Sequence, residues 1–288
     1  MKIRTPLGIL LAASLAMTGC SNNDQTTGAS TDAGEVTTLR FSHFMTATDN
    51  INTEALEPWA KKIEADSNGR LKIEIYPSAT LSKPGATYDA TAKGSVDIGM
   101  QAQGYTAGRF PLTQIVELPG ITNTAQQQSC ILHKLYNDGI IKDEYEDTHL
   151  LALIGTGQGA LHTVDKPIRT PADMKGLRIR QPSAVASHII EATGAAPVGM
   201  PASDTYTSLQ RGVIEGLSFT WQPNAKAMAA AKEKGDIMID IPDPLNDPDW
   251  RGPLMEGSQH YLDEVNATGL DADNVYEKAK AASSGCMV

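Results

Sequence analysis

The sequence predicts an α/β protein built on parallel strands. The first observation is the run Gly176 to Arg180 (GLRIR), where Leu177 and Ile179 alternate with Arg178 and Arg180. That is the period of a strand with one apolar face. The second is the punctuation after that run. Pro182 ends the strand, Ser183 is placed to cap a helix carrying Val185, Ile189 and Ala192, and Gly194 stops it. An extended piece at Pro197 and Val198, a helix from about Ser203 to Leu209 stopped by Gly212, and a strand near Leu217 to Phe219 complete the alternation. The third observation is the same order nearer the amino terminus. Thr38 to His43 reads as a strand, a helix runs near Thr53 to Ala65, and Arg70 to Tyr76 alternates again. A helix near Tyr88 to Lys93 then leads through Gly94 into a strand from Val96 to Met100.

The remaining segments are read in the same way. Lys2 and Arg4, the short apolar run Leu7 to Met17 and the residues Met17 to Cys20 (MTGC) read as a lipoprotein signal over 1–20, with Cys20 the lipidated residue. A plain secretory signal is the other reading. Residues 21–37 are rich in Ser, Asn, Asp, Thr and Gly and read as a flexible tether. Gln103 to Gly120 is punctuated by Gly and Pro and reads as a loop; a helix comes next near Gln126 to Asn137. The continuous apolar run His149 to Ile154 reads as a buried strand, and 155–165 as a loop. A hinge near 155–170 divides a first lobe, 38–160, from a second, 161–226. Residues 227–288 form a C-terminal segment packed on both. In it Ala225 to Lys234 reads as helix, Ile237 to Ile241 as strand and Pro242 to Pro248 as turn. Trp250 to Val265 and Asp271 to Ala282 read as closing helices.

Composition narrows the function. A net charge of −10 over 288 residues argues against nucleic acid as a partner. Loss of Lys2 and Arg4 with the signal takes it from −10 to −12. Besides Cys20 there are Cys130 and Cys286, which the sequence favours as a buried thiol and a loose one rather than a disulfide. No CxxC or His/Cys cluster points to a metal, and no cofactor is expected. Gly155 to Ala160 (GTGQGA) fits G-x-G-x-x-A, but Pro167 and Pro171 fall where a dinucleotide fold needs its helix. No G-x-S-x-G, P-loop or H-E-x-x-H motif is present, and a non-enzymatic role is expected.

Ligands of open α/β sheets sit outside the carboxyl ends of the strands. Arg180 and Trp221 lie at such ends. A planar guanidinium matches a carboxylate bidentately and stays charged in a dry cleft. Trp221 either stacks on a ligand or packs in the core, and Phe219 shares its face by alternation. Tyr105 offers a hydroxyl from the Gly-rich loop. Arg109 pairs with a ligand or, preferably, with a local acid such as Glu117. His43 comes at the end of the first strand and His162 lies near the hinge; each is a candidate donor or a structural histidine.

In sequence order, several pieces carry a family likeness. They are Leu39 to His43 (LRFSH), Pro58 and Trp59, Gly69 to Pro77 (GRLKIEIYP), Gly94 to Gly99, Gly104 to Pro111 (GYTAGRFP), Glu117 to Pro119, and Leu161 to Thr163. Lys166 to Gly194, Pro197 to Gly216 and Trp221 complete the set. Together they resemble the periplasmic solute-binding proteins of TRAP transporters, the DctP-type family. The resemblance implies a two-lobed periplasmic-binding-protein-like fold (type II) closing on an organic acid, with Arg180 as carboxylate clamp. It also implies delivery of the acid to a sodium-coupled TRAP permease. Some family members carry an arginine near Ala160; its absence points to His162 or another donor. One arginine clamp rather than two favours a monocarboxylate. After Pro223 to Lys226 the expected returning strand, Leu-Pro-Pro turn and long helix are missing, which implies an internal deletion and an incomplete fold. The alternative is a degenerate lipoprotein that binds nothing.

Overall fold

A computed structural model describes residues 36–163, 166–220 and 244–286. Cys20, residues 21–35 of the expected tether, Trp221, the helix and strand expected over 225–241, and the expected internal deletion lie outside the described residues, while Thr37, read as tether, begins the first strand.

Two sheets carry the fold. The first has the order β2-β1-β3, all parallel, from β1 (Thr37–His43), β2 (Leu71–Tyr76) and β3 (Ile98–Met100). A π-helical turn, Ile51–Leu56, leads into α1 (Glu57–Asp66), which connects β1 to β2. The short α2 (Thr87–Ala92) connects β2 to β3. Asn68, at φ 53°, and Gly69, at φ 74°, make the left-handed exit from α1.

The second sheet has the order β4-β7-β5-β6, from β4 (Gly159–Thr163), β5 (Arg178–Gln181), β6 (Ala196–Gly199) and β7 (Gly216–Thr220). β5 runs parallel to both β6 and β7, while β4 is antiparallel to β7. Ser183 caps α4 (Ala184–Ala192) by accepting from Ala186 N, as its position before the helix predicts. α5 (Ala202–Gln210) joins β6 to β7, and Gly194 and Gly212 both hold positive φ at helix exits.

Three further helices close the molecule: α3 (Ala125–Asn137), α6 (Pro248–Ala267) and α7 (Ala272–Gly285). α6 touches two separate cores. Its Trp250 is buried with Ile179, Ile190 and Met174 beneath the second sheet. Its Tyr261, Leu262 and Val265 are buried with residues of α3, α7 and the segment 110–121. Gly257 allows α6 to lie directly on α4: a Cβ there would stand 2.6 Å from Ile189 Cα.

Three expectations are corrected. The apolar run 149–154 is not a strand. Leu153 is buried, but Leu151 and Ile154 are 62% and 54% exposed. The backbone here is satisfied by side chains of α3 instead of a ladder. Leu153 N donates to His133 Nε2 (3.3 Å), Gly155 N to Ser129 Oγ (2.8 Å) and Thr156 N to Gln128 Oε1 (2.8 Å). The expected loop 155–165 contains β4, whose pairing with β7 is set by a partner more than fifty residues away. Finally, Cys130 and Cys286 form a disulfide, with Cα atoms 5.7 Å apart. Cys130 sits on the exposed side of α3 and Cys286 is buried, the reverse of the sequence reading. The link joins α3 to the end of α7. Gln127 joins the same two helices by donating to Ser283 O and Ser283 Oγ.

Candidate ligand-binding cleft

Arg180 is the organising side chain. β5 is an inner strand, so residue 180 is flanked by Val198 on β6 and Leu217 on β7. Its residue is 1% exposed. The two arginines of β5 have opposite fates. Arg178 is exposed and held bidentately by Glu215, with a further bond to Gly212 O (2.7 Å). Arg180 meets no carboxylate among the described residues. Its Nε donates to Met200 O (3.0 Å), one terminal nitrogen to Ser218 O (2.9 Å) and the other to Tyr105 Oη (3.2 Å). The Phe219 ring centroid lies 5.4 Å from the guanidinium carbon. Burial pulls the Arg180 pKa down, and the Tyr105 hydroxyl opposes that shift. A guanidinium has five N–H donors. The three used here leave one on each terminal nitrogen, a pair suited to a carboxylate edge.

A cleft of about 1500 Å³ opens at this point. Its polar end is lined by Arg180, Tyr105, Ser218 and Phe219. Its apolar wall includes Phe44, Met100, Val116, Leu118, Leu132 and Ile154. The charged residues lining it, among those described, are Arg180, Asp49 and Glu117. Tyr105 reaches Arg180 because Gly104 lets its loop rest on the turn after β5: a Cβ at 104 would stand 2.6 Å from Ser183 Cβ. Tyr105 Oη also accepts from Ala202 N (3.0 Å), and Phe44 meets the Tyr105 ring edge-on at 5.2 Å.

The sequence candidates divide accordingly. Arg180, Tyr105 and Phe219 come together at the cleft. Trp221 lies outside the described residues. Arg109 is drawn away by Asp147 (2.6 Å) and the Tyr88 hydroxyl (3.0 Å), not by the expected Glu117. His43 is buried in β1 with Nε2 bonded to Asn52 Oδ1 (2.9 Å), and burial lowers its pKa. It anchors the loop carrying Phe44 and does not line the cleft. His162 pairs with Leu217 across β4 and β7; its neighbours Leu161 and Thr163 line the cleft and it does not.

Sequence reasoning missed Glu117 as a cleft residue, having assigned it to Arg109. It ends the 3₁₀ turn Thr113–Glu117, whose other residues are buried. Its carboxylate accepts from Ser183 Oγ. It is open to the cleft yet deep in the protein mass, and desolvation pushes its pKa up to about 7.

Residues 41–229 match the family model DctP, bacterial extracellular solute-binding protein, family 7. A solute-binding protein of Albidiferax ferrireducens is 27% identical over 242 residues, covering 77% of this chain and 72% of that one. For two further curated relatives the chain spans 63% and 62% of their length. A solved marine metagenome TRAP solute binding protein specific for aromatic acid ligands, from an unidentified microbe and in complex with metahydroxyphenylacetate, superposes with a TM-score of 0.80. It is 25% identical, over 88% of this chain and 100% of that one. A TRAP solute binding protein from Rhodoferax ferrireducens with copurified benzoate gives a TM-score of 0.71 at 26% identity, over 87% and 98%. Two α/β sheets flanking a cleft with an arginine at a strand's carboxyl end, and a family match over most of the chain, lead to one conclusion: this chain belongs to the DctP family of TRAP solute-binding proteins.

Proposed function

We propose that this protein captures a small aromatic monocarboxylate at Arg180 and delivers it to a sodium-coupled TRAP permease. The observation that carries the reading is a buried guanidinium with only neutral partners. An ion held from water costs several kcal/mol unless it is paired, and a carboxylate taking the two N–H donors left on this cleft-lining residue restores that loss. Tyr105 Oη accepts two hydrogen bonds, which leaves its own proton for a ligand oxygen. Phe219, Phe44 and the apolar wall suit a ring. The solved relatives whose structures hold benzoate and metahydroxyphenylacetate support the same ligand class. Delivery to a permease rests on family membership.

The test is thermal unfolding and calorimetric titration with benzoate, mandelate, succinate and a hexuronate. A ligand at a hundred times its Kd adds about 2.7 kcal/mol of stability. An aromatic acid is expected to raise Tm, with the shift lost in Arg180→Met. A cooperative wild-type transition unmoved by any acid overturns the reading.

The reading places the domain outside the cytoplasm on a lipid anchor at Cys20. Labelled palmitate incorporated by wild type and not by Cys20→Ser tests it; equal labelling refutes it. Among the described residues no helix is long and apolar enough to cross a membrane.

One observation favours the rival, a degenerate chain without ligand. Among the described residues β3 pairs only with β1, and the exposed Leu151 and Ile154 belong to a run that forms no strand. A sheet edge left unpaired leaves backbone N–H and C=O groups without partners. Absence of a cooperative transition in the same experiment selects this rival.

A further inference from the structure

We propose that Glu117 is a second ligand-reading residue of the cleft, accepting a hydrogen bond from a hydroxyl on the ligand ring while Arg180 holds the carboxylate. This rests on the Arg180 reading above and names the substituent that the same site selects.

Geometry places Glu117 for the task. Val116 and Leu118 on either side of it are buried at 3% and 2%, whereas Glu117 opens to the cleft. Its hydrogen-bond partner among the described residues is Ser183 Oγ. Ser183 stands three residues beyond Arg180, so the two Cα atoms lie within about 10 Å. Arg180 and Glu117 both line the one cleft, and the serine that holds Glu117 follows closely on the strand that carries Arg180. Gly104, packed against Pro182 and Ser183, fixes Tyr105 in the same cleft.

Chemistry points the same way. A carboxylate offers about four acceptor positions, and Ser183 fills one. Among the described residues no lysine, arginine or histidine pairs with Glu117. The carboxyl opens to the cleft without a cation beside it, and a donor brought by the ligand takes one of its free acceptor positions. The neighbouring titratable groups are already committed. Tyr261 Oη donates to Pro111 O (2.6 Å), and Glu144 accepts from Leu112 N (2.6 Å) and Thr113 N (2.9 Å). Asp49 lines the cleft as well, but its Oδ1 accepts from Ile51 N (2.9 Å) in the loop after β1. Both acids keep acceptor positions; Glu117 is the one whose partner, Ser183, stands just past the strand that carries Arg180.

The experiment measures Kd for benzoate, 3-hydroxybenzoate and 4-hydroxybenzoate by titration calorimetry on the mature wild-type chain and on Glu117→Leu, Glu117→Gln and Arg180→Met. In wild type one hydroxylated acid binds about tenfold or more tighter than benzoate, the gain of a hydrogen bond to a charged acceptor. In Glu117→Leu that ratio falls to about one, whatever the change in benzoate affinity itself. Glu117→Gln, which keeps an acceptor for Ser183, retains part of the preference and decides the matter if the leucine variant does not fold. Arg180→Met loses all three acids. A wild type without preference, or a ratio unchanged in both Glu117 variants, overturns the assignment of Glu117 and leaves the Arg180 reading standing. Failure of wild type to bind any of the three overturns both.

Discussion

Replacing Cys130 and Cys286 together by serine removes the covalent tie between α3 and the end of α7. The closed loop spans 156 residues in sequence. In the chain-entropy model such a cross-link withholds about 17 cal/mol/K from the unfolded chain, or about 5 kcal/mol at 25 °C. For a domain of this size each kcal/mol moves Tm by about 2–4 °C, so the variant melts about 10–20 °C lower. Gln127 and the buried faces of α3 and α7 still hold the helices together, so the double variant folds and the loss appears as stability. Differential scanning calorimetry of wild type, wild type with reductant, and the double-serine variant makes the measurement. Alkylation under denaturing conditions, then peptide mass analysis, establishes the link in the starting material. A linked wild type whose Tm lies within about 3 °C of the variant's refutes the argument, since it would mean the unfolded chain is not constrained by the bond.

Three further predictions rest on close contacts and on one titration. Gly104→Ala pushes a methyl against Pro182 O and to 2.6 Å from Ser183 Cβ, so it costs about 1–3 kcal/mol of stability as the loop shifts, displaces Tyr105 from Arg180 and weakens acid binding about tenfold or more by calorimetry; unchanged Kd would show that Tyr105 is not used. Gly257→Ala drives a methyl onto Ile189 Cα at 2.6 Å and costs about 1–3 kcal/mol in chemical denaturation, because α4 and α6 must separate; an unaltered midpoint contradicts the crossing. Glu117, raised from 4.5 to about 7 by burial, binds its proton more tightly folded than unfolded. The folded state thus holds the extra proton between those values, and this contribution is lost as pH rises from about 4.5 to 7. Tm of wild type is expected to fall relative to Glu117→Gln over that window. The opposite trend of buried His43, whose stabilisation is lost as pH falls, cancels in the comparison. Parallel pH profiles would remove Glu117 from the account.

The local rules that made this fold legible are those that act within a few residues. Alternation at 176–180, the Ser183 cap and the glycine exits at 194 and 212 needed no distant partner to be read. Arg180 was legible for the same reason, as the last alternating residue at a strand's carboxyl end. What escaped was decided by partners far away in sequence. The run 149–154 has the composition of a buried strand, but α3 side chains claim its N–H groups. β4 looked like a loop because Gly159 and Ala160 carry no strand signal, and its pairing comes from β7. Cys286 looked loose because burial of a chain end against α3 has no local signature. Glu117 was assigned to Arg109 by nearness in sequence, and Asp147 and Tyr88 won that arginine. Ser183 faces Glu117 across 66 residues, which no short window contains.

The balance of charge in the cleft bears on what kind of acid fits. One cation, Arg180, faces two acids, Asp49 and Glu117, among the described lining residues. A monocarboxylate neutralises the cation and leaves the acids as they were. A dicarboxylate brings a second negative charge toward them with no second guanidinium to meet it. At about 6 Å and an effective dielectric near 20, one such repulsion is about 3 kcal/mol, more than a hundredfold in Kd. Glu117 softens this when protonated and hardens it when ionised, so selection against dianions sharpens above its pKa of about 7. The carboxyl group that invites a hydroxyl on the ring therefore also rejects a second carboxylate there. Both effects come from one side chain whose nearest partner is a serine rather than a lysine or arginine.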